Sequence, residues 1–374
     1  MQSRPRKGST KPKNGRMTPP IGSRMTAAVS VHRAWTGRIP SRSRASDAIS
    51  SGSPRSRPRP NSPAVQTLLN LLAGVSLLVW GTHIVRTGIL RLYGGDLRRI
   101  LRRSVARSRF AAFAAGIGVT GLIQSSTATA LIVAAFAGQG LVTTASALAV
   151  MLGADVGTSI VTVVLSFDLS WLAPLLIFCG VVLFLSRQST PAGRFGRILI
   201  GLGLIIFALQ WIRVAAQPIV GAAGVKVLFA SLTGDVLLDV LVAALVTILC
   251  YSSLAVVLLV AALAQLGVIG PPVALGLVLG ANLGSGMLGM LSTLRSPPEA
   301  RRVTLGNFLF KLIGCVVFAF LVRHIVAPIE ALGLDAAREV VLFHLTFNVV
   351  LAVAFLFFTA PIARIAERVL PTNP

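Results

Sequence analysis

Residues 153–158 of the chain read Gly-Ala-Asp-Val-Gly-Thr, and residues 280–285 read Gly-Ala-Asn-Leu-Gly-Ser. Each motif interrupts a long apolar segment, and an offset of 127 residues superimposes one motif on the other. The same offset, without a gap, places Gln124-Ser125-Ser126 on Tyr251-Ser252-Ser253. Two polar motifs that stay in register indicate duplication more strongly than matching leucines do. We therefore interpret the chain as two copies of one unit.

The segments around these motifs have the composition of a membrane protein. The chain is 54% hydrophobic and 12% charged, with a mean hydropathy of +0.81, which a soluble surface cannot carry. Apolar stretches of about 20 residues cross the hydrocarbon core of a bilayer. They predict spans at about 66–92, 143–166, 171–186, 197–216, 271–292, 303–322 and 339–360. We predict an all-α polytopic protein of the cell (inner) membrane.

The duplication also predicts how the chain is divided. We expect a first transmembrane repeat at 64–196, a second at 197–325, and an extra transmembrane helix with a short tail at 326–374. Paired hydrophobic segments interrupted by glycine are typical of secondary transporters, whose sites form where broken helices meet near the bilayer midplane. Each unit is therefore predicted to contain one re-entrant hairpin and one broken helix.

A basic tail precedes the first repeat, at residues 1–63. Residues 1–60 hold fourteen Arg and Lys against one acid, Asp47, among many Ser, Pro and Gly. Such a segment cannot bury enough apolar surface to fold, so we predict disorder; a transit peptide or a start codon assigned too far upstream would have the same composition. Deleting residues 1–60 is expected to leave folding and transport intact. Because the net charge of +24 is concentrated in tails and loops, we expect no nucleic-acid partner.

Two apolar regions carry polar residues at their centres, at 110–137 and 236–266. Each half is too short to span the bilayer, so a re-entrant hairpin with a polar tip is predicted for both. Hydroxyls and an amide beside a helix N-terminus would offer oriented donors to an anion. Alternatively, these Ser and Thr residues only hold helices together. The candidate anion ligands are Gln124, Ser125, Ser126, Thr127, Ser252 and Ser253.

The glycine motifs are the candidate cation site. A helix break there would free carbonyls beside side-chain oxygens, the ligands that a small hard cation prefers. The predicted ligands are Asp155, Thr158, Asn282 and Ser285. The alternative is a close helix crossing made possible by small residues. No Arg or Lys occurs at either hairpin tip, so co-bound cations are expected to balance a bound dianion.

These residues resemble the sodium/phosphate cotransporter family. Gln124-Ser125-Ser126-Thr127 resembles its Gln-Ser-Ser-Ser signature, and the two glycine motifs resemble its Gly-Ala-Asn-x-Gly-Thr elements. Residues 307–311 and 344–348 resemble its paired helix-end motifs, which makes Asn307, Lys311 and Asn348 possible accessory residues. The resemblance covers about 66–360 and implies inverted repeats and sodium-coupled phosphate uptake. Only about 14 residues follow, so we expect the family's C-terminal regulatory domain to be lacking.

Four residues depart from the family pattern. Tyr251 stands in place of Gln, Leu254 in place of Ser, and both Asp155 and Lys311 in place of Asn. Asp155 could bind sodium, carry a proton or serve only as scaffold. Lys311 either points inward, where its charge could replace one coupling ion, or extends to an interface.

The resulting functional prediction is sodium-coupled symport of inorganic phosphate, with Na⁺ as coupling ion and no other cofactor. Symport of another oxyanion, proton coupling, and a non-transporting membrane sensor are the alternatives. The four His residues (His32, His83, His324 and His344) have no evident nucleophile partner, and we predict that the protein is not an enzyme. The sequence leaves the orientation and the oligomeric state open.

Overall fold

The computed structural model describes residues 63–220 and 235–371. The basic tail, apart from its last residue, and the predicted effect of deleting residues 1–60 lie outside the described residues. Within those two ranges the chain forms twelve helices and no strand, which confirms the all-α prediction. The helices are α1 (Pro63–Arg107), α2 (Arg109–Ile123), α3 (Ser126–Gly138), α4 (Thr144–Ser166), α5 (Leu172–Ser186), α6 (Pro191–Val220), α7 (Val236–Cys250), α8 (Ser253–Gln265), α9 (Pro271–Thr293), α10 (Pro298–Glu330), α11 (Ala336–Phe355) and α12 (Thr359–Val369).

Six helices of the described ranges are long and apolar enough to cross a membrane: α1, α4, α6, α9, α10 and α11. The chain is therefore a multi-pass membrane protein, as predicted. The predicted span at 171–186 corresponds to α5, whose 15 residues are fewer than the roughly 20 that a crossing needs. Helices α4 and α9 form the centre of the fold, with 83% of the most apolar window of each buried.

One three-helix unit occurs twice along the chain. Adding 127 to the bounds of α2, α3 and α4 gives the bounds of α7, α8 and α9 to the residue. The first two helices of each unit have 15 and 13 residues, or about 22 and 20 Å at 1.5 Å per residue. Both are shorter than the hydrocarbon core of about 30 Å. The re-entrant path of these helix pairs and the inversion of the units remain predictions.

The predicted helix breaks are wrong. Helix α4 continues through Gly153–Thr158, and α9 continues through Gly280–Ser285. Breaking a helix in lipid leaves backbone groups unsatisfied at several kilocalories each, whereas a glycine inside a helix costs only about 1 kcal/mol. The chain therefore keeps its hydrogen bonds and uses the glycines for packing.

These glycines let two helix backbones approach closely in each unit. A Cβ added to Gly157 would lie 2.6 Å from the carbonyl oxygen of Ile117 in α2, and one added to Gly284 would lie 2.6 Å from that of Ala244 in α7. Gly153 and Gly280 face the backbones of α2 and α7 even more closely. The close helix crossing, the alternative to a cation site, is therefore what the glycines provide.

We predict that Gly157→Ala destabilises the protein, because the new methyl group meets backbone that cannot turn aside. Overpacking of this kind costs about 1–3 kcal/mol. Gly118→Ala is the matched control, since a Cβ at Gly118 meets nothing within 4 Å. The melting temperature of each variant is measured in detergent, with the folded fraction after heating determined by size-exclusion chromatography. Equal melting temperatures for the two would contradict this account of the glycines.

Candidate functional site

The two helix pairs turn in the same strained way. Gln124 (φ 58°, ψ 29°) and Tyr251 (φ 55°, ψ 26°) end α2 and α7 in the left-handed region. They are the only non-glycine residues with positive φ among the described residues, and this conformation costs about 1 kcal/mol or more. Tyr251 thus keeps the backbone geometry of Gln124, and its hydroxyl forms a 2.7 Å hydrogen bond with Ser292.

The residue after each turn caps the following helix. Ser125 Oγ accepts a hydrogen bond from the backbone nitrogen of Ala128 at 3.2 Å, and Ser252 Oγ accepts one from Ala255 at 3.2 Å. Each hydroxyl keeps its proton free to donate elsewhere. Helices α3 and α8 therefore begin at the two turns, and the positive end of each helix dipole lies there.

Both turns line one cavity of about 150 Å³, which we call the turn cavity. Helix α1 supplies the facing wall. The polar residues of the turn cavity are Thr82, His83, Arg86, Gln124, Ser125, Tyr251 and Ser252. The fold thus brings together the tips of both units, which lie 127 residues apart in sequence.

Arg86 gives the turn cavity its positive charge. Its Nη2 lies 3.1 Å from Nδ1 of His83, and no carboxylate of the described residues lies within ion-pair distance of its guanidinium. A guanidinium and two helix N-termini around one cavity form a site that suits an oxyanion. Arg86 was not predicted from the sequence, because it lies far from both tips along the chain. The sequence did contain a signal for Arg86. This residue lies within an apolar helix, and a charged residue inside a membrane segment is a functional candidate.

The structure divides the predicted anion ligands into two sets. Gln124, Ser125 and Ser252 line the turn cavity, and Oε1 of Gln124 is buried without a hydrogen-bond partner among the described residues. Ser126 and Thr127 are buried in the first turn of α3. Together with Ser253, the first residue of α8, they are not among the residues that line the cavity.

The predicted cation ligands belong to a different cluster. Lys311 of α10 points inward, and its Nζ lies 2.8 Å from Oδ1 of Asp155 in α4 and 2.5 Å from Oγ of Ser285 in α9. The side chains of Lys311 and Asp155 are only 2% and 8% exposed. We call Asp155, Ser285 and Lys311 the ion-pair cluster. The structure therefore pairs the two residues that depart from Asn.

Amide groups connect the same helices beside the ion-pair cluster. Nδ2 of Asn348 in α11 donates to Oδ1 of Asn282 at 3.1 Å and to Oγ of Ser159 at 2.9 Å. Ser159 was not predicted from the sequence, where its position one residue after the first glycine motif was the only signal. Thr158 bonds to the carbonyl of Ala154 in its own helix. Oδ1 of Asn307 and Oδ1 of Asn348 are buried without a partner in the described part of the chain.

Comparison with known proteins identifies the family. The sequence model of the Na⁺/Pi-cotransporter family matches residues 77–214 and again residues 216–359. The chain belongs to the Na⁺/Pi-cotransporter family. The two successive matches agree with the duplicated three-helix unit, and the resemblance found in the motifs is confirmed.

Curated relatives are known in several bacteria. The chain is 52% identical over 308 residues to proteins of Escherichia coli (strain K12) and Salmonella typhimurium named "Putative inorganic phosphate export protein YjbB". The matched region covers 82% of this chain and 56% of those proteins, so the chain spans little more than half their length. It is also 24% identical over 308 residues to the "Uncharacterized protein YqeW" of Bacillus subtilis, covering 82% of this chain and 99% of that protein. No solved structure matches the chain significantly.

Proposed function

We propose that the chain transports inorganic phosphate across the membrane in symport with sodium, and that phosphate binds in the turn cavity. The observation that carries the proposal is that one cavity gathers Arg86 and both helix-pair turns. Membership of the Na⁺/Pi-cotransporter family supports the substrate class and the coupling ion.

The side chains of the turn cavity supply what a phosphate ion needs. Arg86 offers paired N–H donors to phosphate oxygens, and the hydroxyls of Ser125 and Ser252 can each donate one hydrogen bond while their caps remain. The positive ends of α3 and α8 add favourable dipoles. A single arginine leaves part of a dianion's charge unbalanced, which is the physical reason to propose a co-transported cation.

For the coupling sodium we propose the buried amide oxygens of Asn348 and of Asn282, to which Asn348 is hydrogen-bonded. Oδ1 of Asn348, which is buried without a partner among the described residues, is a hard oxygen ligand of the kind that binds small cations. Asn282 lies within the same network. These amides replace Asp155 and Ser285 as the proposed sodium ligands, since those two residues contact the ammonium of Lys311.

Radiolabelled phosphate flux in proteoliposomes tests the proposal. The purified chain is reconstituted, and uptake and efflux are followed with sodium or choline on either side. Efflux is included because the names of the 52% identical relatives specify export. Sodium-dependent flux supports the proposal, and the gradient that drives net movement gives the direction.

Three further measurements on the reconstituted protein distinguish the alternative functions: the pH dependence of flux, phosphate binding and competition by other anions. Sodium-independent flux that follows pH would favour proton coupling. Phosphate binding without any flux would favour a sensor and would overturn the proposal. Competition by arsenate and sulfate defines the range of anions that the turn cavity accepts.

We predict that Ser125→Ala raises the half-saturating phosphate concentration about tenfold to a hundredfold. Loss of one hydrogen bond to a charged group costs about 1.5–3 kcal/mol. The variant also loses a helix cap, worth about 1 kcal/mol. Ser108→Ala is the control, because Ser108 caps α2 through the same kind of bond, to Ala111 at 3.1 Å, and does not line the turn cavity. If both variants reduce transport equally, Ser125 acts only as a cap.

A further inference from the structure

We propose that the ammonium group of Lys311 occupies a cation site formed by Asp155 and Ser285, and so takes the place of one free sodium ion. Its consequence for transport rests on the proposed function: a tethered cation reduces the number of sodium ions that accompany each phosphate. The site itself is defined by the contacts of Lys311 alone.

The oxygen atoms around Nζ are arranged for a cation. Ser285 donates its hydroxyl proton to the carbonyl oxygen of Asn282 at 2.8 Å, so a lone pair of Ser285 Oγ faces the ammonium. Asp155 supplies a full negative charge at 2.8 Å. Carboxylate and hydroxyl oxygens are also the ligands that a small hard cation takes. The ammonium therefore contacts the same oxygen atoms that would coordinate a bound sodium ion.

The stem of Lys311 fits a path left open by a glycine. A Cβ added to Gly286 would lie 3.3 Å from Cδ of Lys311 and 3.3 Å from Cα of Phe308, so Gly286 makes room both for the stem of Lys311 and for the backbone of α10. Gly286 follows Ser285 directly, so the residue that contacts the ammonium and the residue that makes room for the stem are adjacent. The close packing of α9 against α10 at Gly286 therefore places the stem of Lys311 beside Ser285.

The two copies of the glycine motif differ in charge, and the difference matches the position of Lys311. The first copy carries Asp155, whereas the second carries the neutral Asn282 at the equivalent position. Among the described residues, Lys311 is the only partner in an ion pair with Asp155. A buried carboxylate must be balanced, and a balance supplied by Lys311 stays on the protein throughout the transport cycle.

A tethered cation changes the energetics of transport. Each free sodium ion adds one sodium gradient to the inward drive on phosphate, and Lys311 adds none. The proposed carrier therefore works against a smaller inward drive and releases phosphate outward at a lower internal concentration.

The test is the effect of sodium on the thermal stability of Lys311→Ala. This variant removes the ammonium and leaves space beside Asp155. The purified protein is melted in sodium, potassium and choline chloride at equal ionic strength. We expect sodium, relative to choline, to raise the melting temperature of Lys311→Ala by several degrees more than it raises that of wild type, whose response reports only sodium bound at the Asn348 amides. Asp155→Asn/Lys311→Ala is the matched control, with the same space but no charge, and is expected to respond to sodium no more than wild type does.

Each outcome decides the inference. A Lys311→Ala protein that is recovered only when purified in sodium supports it. A variant that responds to sodium no more than wild type overturns it, as does an equal response of the double variant or failure to fold in every salt. The stability measurement requires no phosphate, so it stands if wild type proves not to transport phosphate. In the flux assay, Lys311→Ala is expected to show a steeper dependence on sodium than wild type.

Discussion

Replacing Arg86 with glutamine is expected to abolish phosphate transport at physiological phosphate concentrations while leaving the protein in the membrane. The guanidinium is the only cationic side chain, among the described residues, that lines the turn cavity. Removing one partner of a hydrogen-bonded charge pair that loses its water on binding costs about 2–5 kcal/mol, which corresponds to roughly a thirtyfold to several-thousandfold loss of affinity. Phosphate flux in proteoliposomes over a wide concentration range measures the effect.

Arg213 provides the control for this experiment. It is the residue that the 127-residue offset pairs with Arg86, yet it lines a different cavity, beside Ser166 and Gln265. Arg213→Gln removes the same charge from the equivalent position of α6 and is expected to retain transport. Near-normal flux in Arg86→Gln, or equal losses in both variants, would mean that the charge of Arg86 does not hold the substrate.

Replacing Asp155 with asparagine is expected to destabilise the protein more than Gly157→Ala or the loss of a helix cap does. The substitution hardly changes shape, but it leaves the ammonium of Lys311 buried without its anion. Removing one partner of a buried ion pair costs about 3–5 kcal/mol. Thermal unfolding in detergent should show a large fall in melting temperature, with less folded protein recovered from membranes.

The double variant Asp155→Asn/Lys311→Met shows whether the loss comes from the unpaired charge. It removes both charges and keeps an unbranched side chain on α10, and buried ion pairs can often be replaced by neutral groups with little cost. We expect it to recover most of the stability that Asp155→Asn loses. A double variant as unstable as the single one would show that the carboxylate of Asp155 has a structural role independent of Lys311.

The architecture was accessible from sequence because its signals are local or periodic. The length of the apolar segments predicts spans, and the fixed offset between the polar motifs predicts a repeated unit. In the structure, the helix bounds of the two copies differ by that same offset. The polar tips were also located correctly, since Gln124 and Tyr251 both turn the chain at the expected positions.

The helix breaks were predicted wrongly because glycine has two roles in membrane helices. A pair of glycines around a polar residue is compatible both with an interrupted helix and with a close crossing. The choice depends on whether another backbone lies opposite, as those of α2 and α7 do. Sequence gives no information about that neighbour, so the motif alone could not decide between the two.

The main features of both sites depend on contacts between distant residues. Arg86 reaches the turns from α1, and Lys311 reaches Asp155 across 156 positions of sequence. The two departures from Asn at Asp155 and Lys311 were visible separately. Only the fold shows that Asp155 and Lys311 form one ion pair with no net charge.

The most direct test of the phosphate site uses Cys250, a native residue that lines the turn cavity. Cys179 is exposed and Cys315 is buried, so Cys179→Ser leaves Cys250 as the accessible thiol of the three. The measurement is the rate at which a small methanethiosulfonate reagent modifies Cys250 in the reconstituted protein, with and without phosphate. We predict that phosphate, but not chloride at equal ionic strength, slows the modification in a saturable manner. A rate unchanged by phosphate at concentrations that saturate transport would contradict the placement of phosphate in the turn cavity.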